Sequence, residues 1–228
     1  LHSDTHSFPT RRSSDLLLNQ CPHNLDLLQW IVGMPTKIRG FCELGKRHDI
    51  EVEDEVTAYM TYPEGCTGVF VTTTGEAPGT NRLEIAGDQG KLVFEDGTIR
   101  YMRNEVPVTE FLRTSEASFA RPPVWDVTIP VEGKGRQHAG ILENFADAIL
   151  DGTPLIAPAA EGIHSVEMAN AMLFSSLKGE SIELPMDSGA YEAQLKKLIA
   201  TSSFVKQTDE QGGEQDASPE KDMSDSFN

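Results

Sequence analysis

The string LLNQCPHNLDLLQWIVGMP places Asn19, His23 and Asp26 at or just before the start of a helix. An imidazole at a helix end can take a proton from a hydroxyl near neutral pH. Asp26, three residues on, shares the helical face of His23, and Asn19 can orient a hydroxyl as donor and acceptor. The same residues also fit a plainer account, in which Asp26 complements the positive end of the helix and His23 caps it. Spacing alone leaves both open.

Further polar residues fall where loops meet elements. His138 opens the stretch AGILENFADAIL, and Asn81 and Arg82 follow the loop GEAPGT at the head of a strand. All three could reach polyhydroxylated ligands from loops around one pocket; a capping role for His138 and a surface ion pair for Arg82 stand beside that reading. Arg47 and His48 precede the acid run Glu51, Glu53, Asp54 and Glu55, and we expect them to neutralise it in a solvated loop. His164 has apolar helical neighbours and reads as structural. Cys21 lies beside His23, but no further ligand at suitable spacing supports a metal or nucleophile role.

The elements that must position these residues follow from periodicity. Pro22 to Val32 reads as a short helix that begins at a proline and stops at Gly33. From Thr36 to Val131, runs rich in β-branched and aromatic residues alternate with turn signals at PEG, GDQG and EDG. Strands are expected at Lys37–Leu44, Asp54–Tyr62, Thr67–Thr74, Arg82–Ala86, Lys91–Glu95, Thr98–Arg103, Val108–Arg113 and Val124–Val131, mostly antiparallel. Helical spacing returns at Ile141, Phe145, Ala148 and Ile149, and again at Ile163, Val166, Ala169, Met172 and Leu173, closed by Gly152 and Gly179. A short strand Ser181–Leu184 and a helix Ser188–Ala200 follow. Strands between helices predict an α+β fold, with a single open, predominantly antiparallel sheet and helices on one face. The other face, with Val69, Val71 and Thr73 alternating outward, is then available for a homo-oligomer.

Both ends stand apart from this pattern. Residues 1–16 lack a signal-peptide pattern; His6 to Leu16 back-translates to a sequencing-library adapter, so we expect the natural sequence to resume near Leu16 or Leu17, with whatever preceded it lost. Residues 204–228 carry seven acids against two lysines and read as a disordered acidic tail. The folded domain is expected over residues 17–203. A net charge of −17 and the lack of a clustered basic face exclude nucleic acid. No apolar run reaches the roughly 20 residues of a membrane span. Three unpaired cysteines suit a reducing, cytoplasmic setting.

With these residues in place, NQCPHNLDLLQWIVGMP resembles the start of the second domain of the Gfo/Idh/MocA oxidoreductases, relatives of glucose-fructose oxidoreductase and inositol dehydrogenase. Three more strings follow in the family's order: KRHDIEVEDEVTAYMTYPEGCTGVF, TGEAPGTNRLEIAGDQGKLVFEDG, and QHAGILENFADAILDGTPLIAPAAEGIHSVEMANAMLFSSLKGESIELP. The resemblance spans Leu17 to about Ser203. It implies an upstream Rossmann domain that carries NAD or NADP and a catalytic lysine, while this domain binds a sugar, polyol or inositol and forms the oligomer; alone it would be inactive. Family members place an aspartate four residues ahead of the catalytic histidine, and the matching positions are Asn19 and His23. Asparagine holds no charge, so Asn19 could orient a substrate without tuning His23 electrostatically; Asp26 is the candidate for that charge. This departure keeps a non-catalytic sugar-binding or oligomerisation module as the alternative, beside an NAD-dependent epimerase or glycosidase of the same family.

Overall fold

The computed structural model describes residues 16–129 and 135–202. The acidic tail lies outside them, as do the adapter-like segment apart from Leu16 and residues 130 and 131 of the last expected strand. In chain order the elements are α1 (Pro22–Val32), β1 (Lys37–Leu44), β2 (Glu53–Thr61), β3 (Thr67–Thr73), β4 (Arg82–Gly87), β5 (Gly90–Glu95), β6 (Thr98–Asn104), α2 (Val108–Thr114), β7 (Val124–Thr128), α3 (Gln137–Asp151), α4 (Gly162–Lys178), β8 (Ile182–Glu183) and α5 (Ser188–Thr201). They divide into two compact units, one within Ser7–Ala77 and His138–Gly212, the other within Pro78–Gln137.

The first unit is built on an antiparallel sheet of order β3-β2-β1-β8. Alternation along β2 buries Val56, Ala58 and Met60 and leaves Thr57 and Tyr59 outside. The buried set meets Met168, Ala171 and Met172 of α4 in one core with Leu25 of α1. Each such large side chain taken from water stabilises the fold by about 1.5–3 kcal/mol. Contact between β1 and α4 is close enough to require glycine at position 40, because a Cβ there would lie 2.1 Å from the Met172 carbonyl oxygen.

That approach also completes the hydrogen bonding of β1. Strand β8 pairs only with Lys37 and Ile38, so farther along β1 the edge amides need other acceptors. Gly40 N–H donates to Ser175 Oγ at 2.9 Å and Cys42 N–H to Ser176 Oγ at 2.8 Å. Helix α4 ends at Gly179, whose φ of 71° is the left-handed C-terminal conformation. Asp187 opens α5 by accepting the Ala190 N–H at 2.9 Å.

The second unit is an antiparallel meander of order β4-β5-β6-β7. One of its faces is a lattice of ion pairs, Arg82 with Glu84 and Glu95, Lys91 with Glu84, and Arg100 with Asp126.

Two findings correct the sequence reading. The α+β class and the open antiparallel pairing hold, but the strands form two four-stranded sheets where one was counted. Patterning reports where the chain is extended and not which edges bond; the bends from Thr74 to Asn81, with Gly75 and Pro78, carry no ladder. Val108–Thr114 is helix α2, not the strand its Val, Thr and Phe suggested. Its start is capped from a distant turn: Asp88 Oδ1 accepts the Thr109 N–H at 2.8 Å, Asp88 Oδ2 accepts the Thr109 hydroxyl at 3.1 Å, and the Asp88 carbonyl accepts the Val108 N–H at 2.9 Å. No local propensity signals a cap supplied from 20 residues away.

Candidate functional site

The segment leading into α1 is a single π-helical turn, Leu16–Gln20, closed by Cys21 N–H donating to the Leu16 carbonyl at 3.2 Å. It drives Leu16 and Leu17 into the core and leaves Leu18, Asn19 and Gln20 exposed. Leu17 N–H donates to the buried carboxylate of Glu53 at 3.0 Å and so ties the turn to β2. Cys21 is buried, its Sγ 3.2 Å from Thr72 Oγ1. Burial pushes its thiol pKa up, with the nearby Glu53 carboxylate adding to the effect and the Thr72 hydrogen bond opposing it. A thiol kept protonated in this way packs and does not act as a nucleophile. Cys42 behaves alike, pushed up to about 12 chiefly by burial.

These anchors set the exposed His23 in the first turn of α1, after Pro22 at the first helical position. A depression of about 280 Å³ opens beside it, where His23 and Asp26 face Pro158, Glu161, Gly162 and Ser165. Asp26 is oriented within its own helix, since its Oδ1 accepts from Gln29 Nε2 at 3.0 Å. The site therefore presents one imidazole, two carboxylates and a hydroxyl, a set able to move a proton and to receive hydrogen bonds from a hydroxylated ligand.

The other expected site residues are distributed as follows. Asn19 is exposed on the turn before α1, outside the lining, and His138 is exposed in the first turn of α3. Asn81 and Arg82 belong to the second unit. Arg82 donates to Glu95 Oε2 at 2.6 Å and to Glu84 Oε2 at 2.5 Å, as its ion-pair reading had it; these carboxylates raise its pKa, Glu84 first. Arg47 and Lys46 pair with Glu55, while the backbone N–H groups of Lys46, Arg47 and His48 converge on the Asp54 carboxylate at 3.2, 2.6 and 3.0 Å. That basic loop neutralises the acid run, with Asp54 at its centre. Sequence reasoning missed Glu161 and Ser165. The string APAAEGIHS held a usable signal, a proline and a glycine bracketing a helix start, but nothing in it says which other helix start lies opposite.

The one glycine cluster read as a possible phosphate loop, GEAPGTN, does not have the geometry of one. Cradling a dinucleotide's phosphates takes a glycine-rich turn leading from a strand into a helix, and this cluster leads instead into β4.

An α+β domain that pairs an open antiparallel sheet with a helix-borne histidine beside a small polar hollow is the class defined so far. Residues 2–93 match the family model described as the GFO/IDH/MocA C-terminal domain. Over those residues the chain is similar to a domain of the Gfo/Idh/MocA oxidoreductases, in line with the resemblance. No curated protein sequence matches the chain. Among solved structures, the chain is similar to the WlbA dehydrogenase from Chromobacterium violaceum in complex with NADH and UDP-GlcNAcA, with 21% identity and a TM-score of 0.58 over 76% of this chain and 47% of that one. The WlbA dehydrogenase from Bordetella pertussis, bound to the same two ligands, gives 20% identity and a TM-score of 0.51 over 77% and 46%. Levoglucosan dehydrogenase in complex with NADH and levoglucosan gives 19% and 0.53 over 72% and 49%. At these identities the likeness is one of fold. The chain spans about half the length of the solved structures it matches.

Proposed function

We propose that this chain is the substrate-binding half of an NAD(P)-dependent oxidoreductase acting on the CH–OH group of a sugar, polyol or inositol, with His23 as the proton acceptor. The single observation that carries the reading is the exposed imidazole at the start of α1, bordering a hollow whose lining accepts hydrogen bonds. The relatives bound to NADH support the cofactor, and the levoglucosan held by one of them supports the substrate class. By this reading a neighbouring domain would bind the dinucleotide, and this chain by itself would not turn over. In this chemistry the nicotinamide, when bound, supplies the hydride acceptor. This chain's part is to seat the hydroxyl beside Asp26 and to receive its proton at the His23 ring. The setting we propose is the cytoplasm, with all three cysteines free.

His23→Ala, made in the intact protein that includes the cofactor domain, is expected to lower kcat by about 10²- to 10⁴-fold. The assay is NAD(P)H formation with sugars and inositols, and near-normal turnover by the variant would remove His23 from the role. A binding module without turnover is the competing reading, favoured by Asn19 in place of the family's aspartate; sugar binding without NAD(P)H formation by the intact protein would select it.

We further propose that the open face of the first unit's sheet is a homo-oligomer interface. It is supported by Phe41, Tyr59, Val69 and Val71, which lie 48–65% exposed on strands paired in register, Phe41 to Thr57 to Val71 and Tyr59 to Val69.

A further inference from the structure

Apart from the His23 ring, the polar side chains that line the hollow are acceptors. Asp26 and Glu161 contribute carboxylates, and no lysine or arginine lines it. The Ser165 hydroxyl spends its hydrogen on the Gly162 carbonyl at 3.2 Å, so toward a ligand it too offers only lone pairs. Helix starts usually welcome anions through unbonded N–H groups, and here three of those positions offer no free donor. Ahead of α4, the turn Ala159–Glu161 takes the Glu161 N–H to Pro158 O at 3.0 Å and the Gly162 N–H to the Ala159 and Ala160 carbonyls. At α1 the first helical residue is Pro22, which has no N–H.

Resting on the reading of this hollow as the substrate site, we infer that it selects neutral or amino polyhydroxy compounds and rejects their carboxylate- or phosphate-bearing counterparts, with Glu161 as the discriminating residue. A hydroxyl or ammonium donates to these carboxylates in charge-assisted hydrogen bonds. An anionic group brings only acceptors and meets like charge, a penalty on the order of tenfold in affinity for an open site. The repulsion is between exposed groups, so it weakens with salt.

The test titrates the chain with matched pairs differing only at C6, the methyl glycosides of glucose, galactose and mannose and of their uronic acids, following the His23 ring signals by NMR. Neutral members are expected to bind at least about tenfold tighter than their uronates at low salt. Glu161→Gln should shrink that gap to within about twofold, as should salt on the order of 0.5 M. Uronates that bind as well as the neutral glycosides, or a gap that Glu161→Gln leaves intact, would overturn the inference while leaving the hollow as the sugar site. If no member of any pair perturbs His23, the site reading falls and takes the selectivity with it.

Discussion

Asp54 is a carboxylate with 1% of its surface in contact with solvent, held by three successive backbone N–H groups and lying 3.3 Å from His48 Nδ1. Burial acts to raise its pKa, yet those hydrogen bonds outweigh it and keep the carboxyl below the ordinary carboxylate value. A depressed folded-state pKa means stability that is present above the unfolded value of about 3.9 and lost as pH falls through the folded one. Asp54→Asn replaces one anionic acceptor by an amide donor facing N–H groups, and is expected to cost about 3 kcal/mol at pH 7. In urea denaturation from pH 7 down to pH 3, the difference from the parent should narrow only at the acid end. A variant within about 0.5 kcal/mol of the parent at pH 7 would show that the loop does not depend on this charge. The acid run was visible in the sequence, but which of its four members would be buried was not, because all four share one composition and only the tertiary structure takes Glu53 and Asp54 out of water.

At the scale of elements, α1 was legible because its limits are written in the backbone chemistry of Pro22 and Gly33, and the observed range coincides with the expected one. Helix α2 was not, because its cap is Asp88 on the β4–β5 turn. Replacing Asp88 by alanine should destabilise the second unit by about 1 kcal/mol and raise amide exchange over residues 108–114, read by hydrogen exchange with mass spectrometry. Unchanged exchange there would mean that α2 holds by its own propensity. Strands β4, β5 and β6 were legible from β-branched and aromatic runs between turn signals, and each lies within a residue of its expected limits.

For the whole molecule, the proposed interface predicts that the chain sediments as an oligomer and that Val71→Asp, which sets a charge at the centre of the open face, shifts it to monomer with unchanged far-UV circular dichroism. A parent chain that is monomeric at tens of micromolar would remove the face from that role. No helix among the described residues is long and apolar enough to cross a membrane.

Local chemistry in the chain determined the α+β class, the extents of most elements, the place of His23 at a helix start and the family resemblance, since all of these rest on periodicity, turn residues and short strings. Tertiary structure alone decided that the strands divide into two sheets, that Val108–Thr114 coils, that Cys21 is sealed beside Thr72, and that Glu161 and Ser165 stand opposite His23. Those outcomes depend on contacts between residues tens to more than a hundred positions apart, and such contacts leave no period in a one-dimensional sequence.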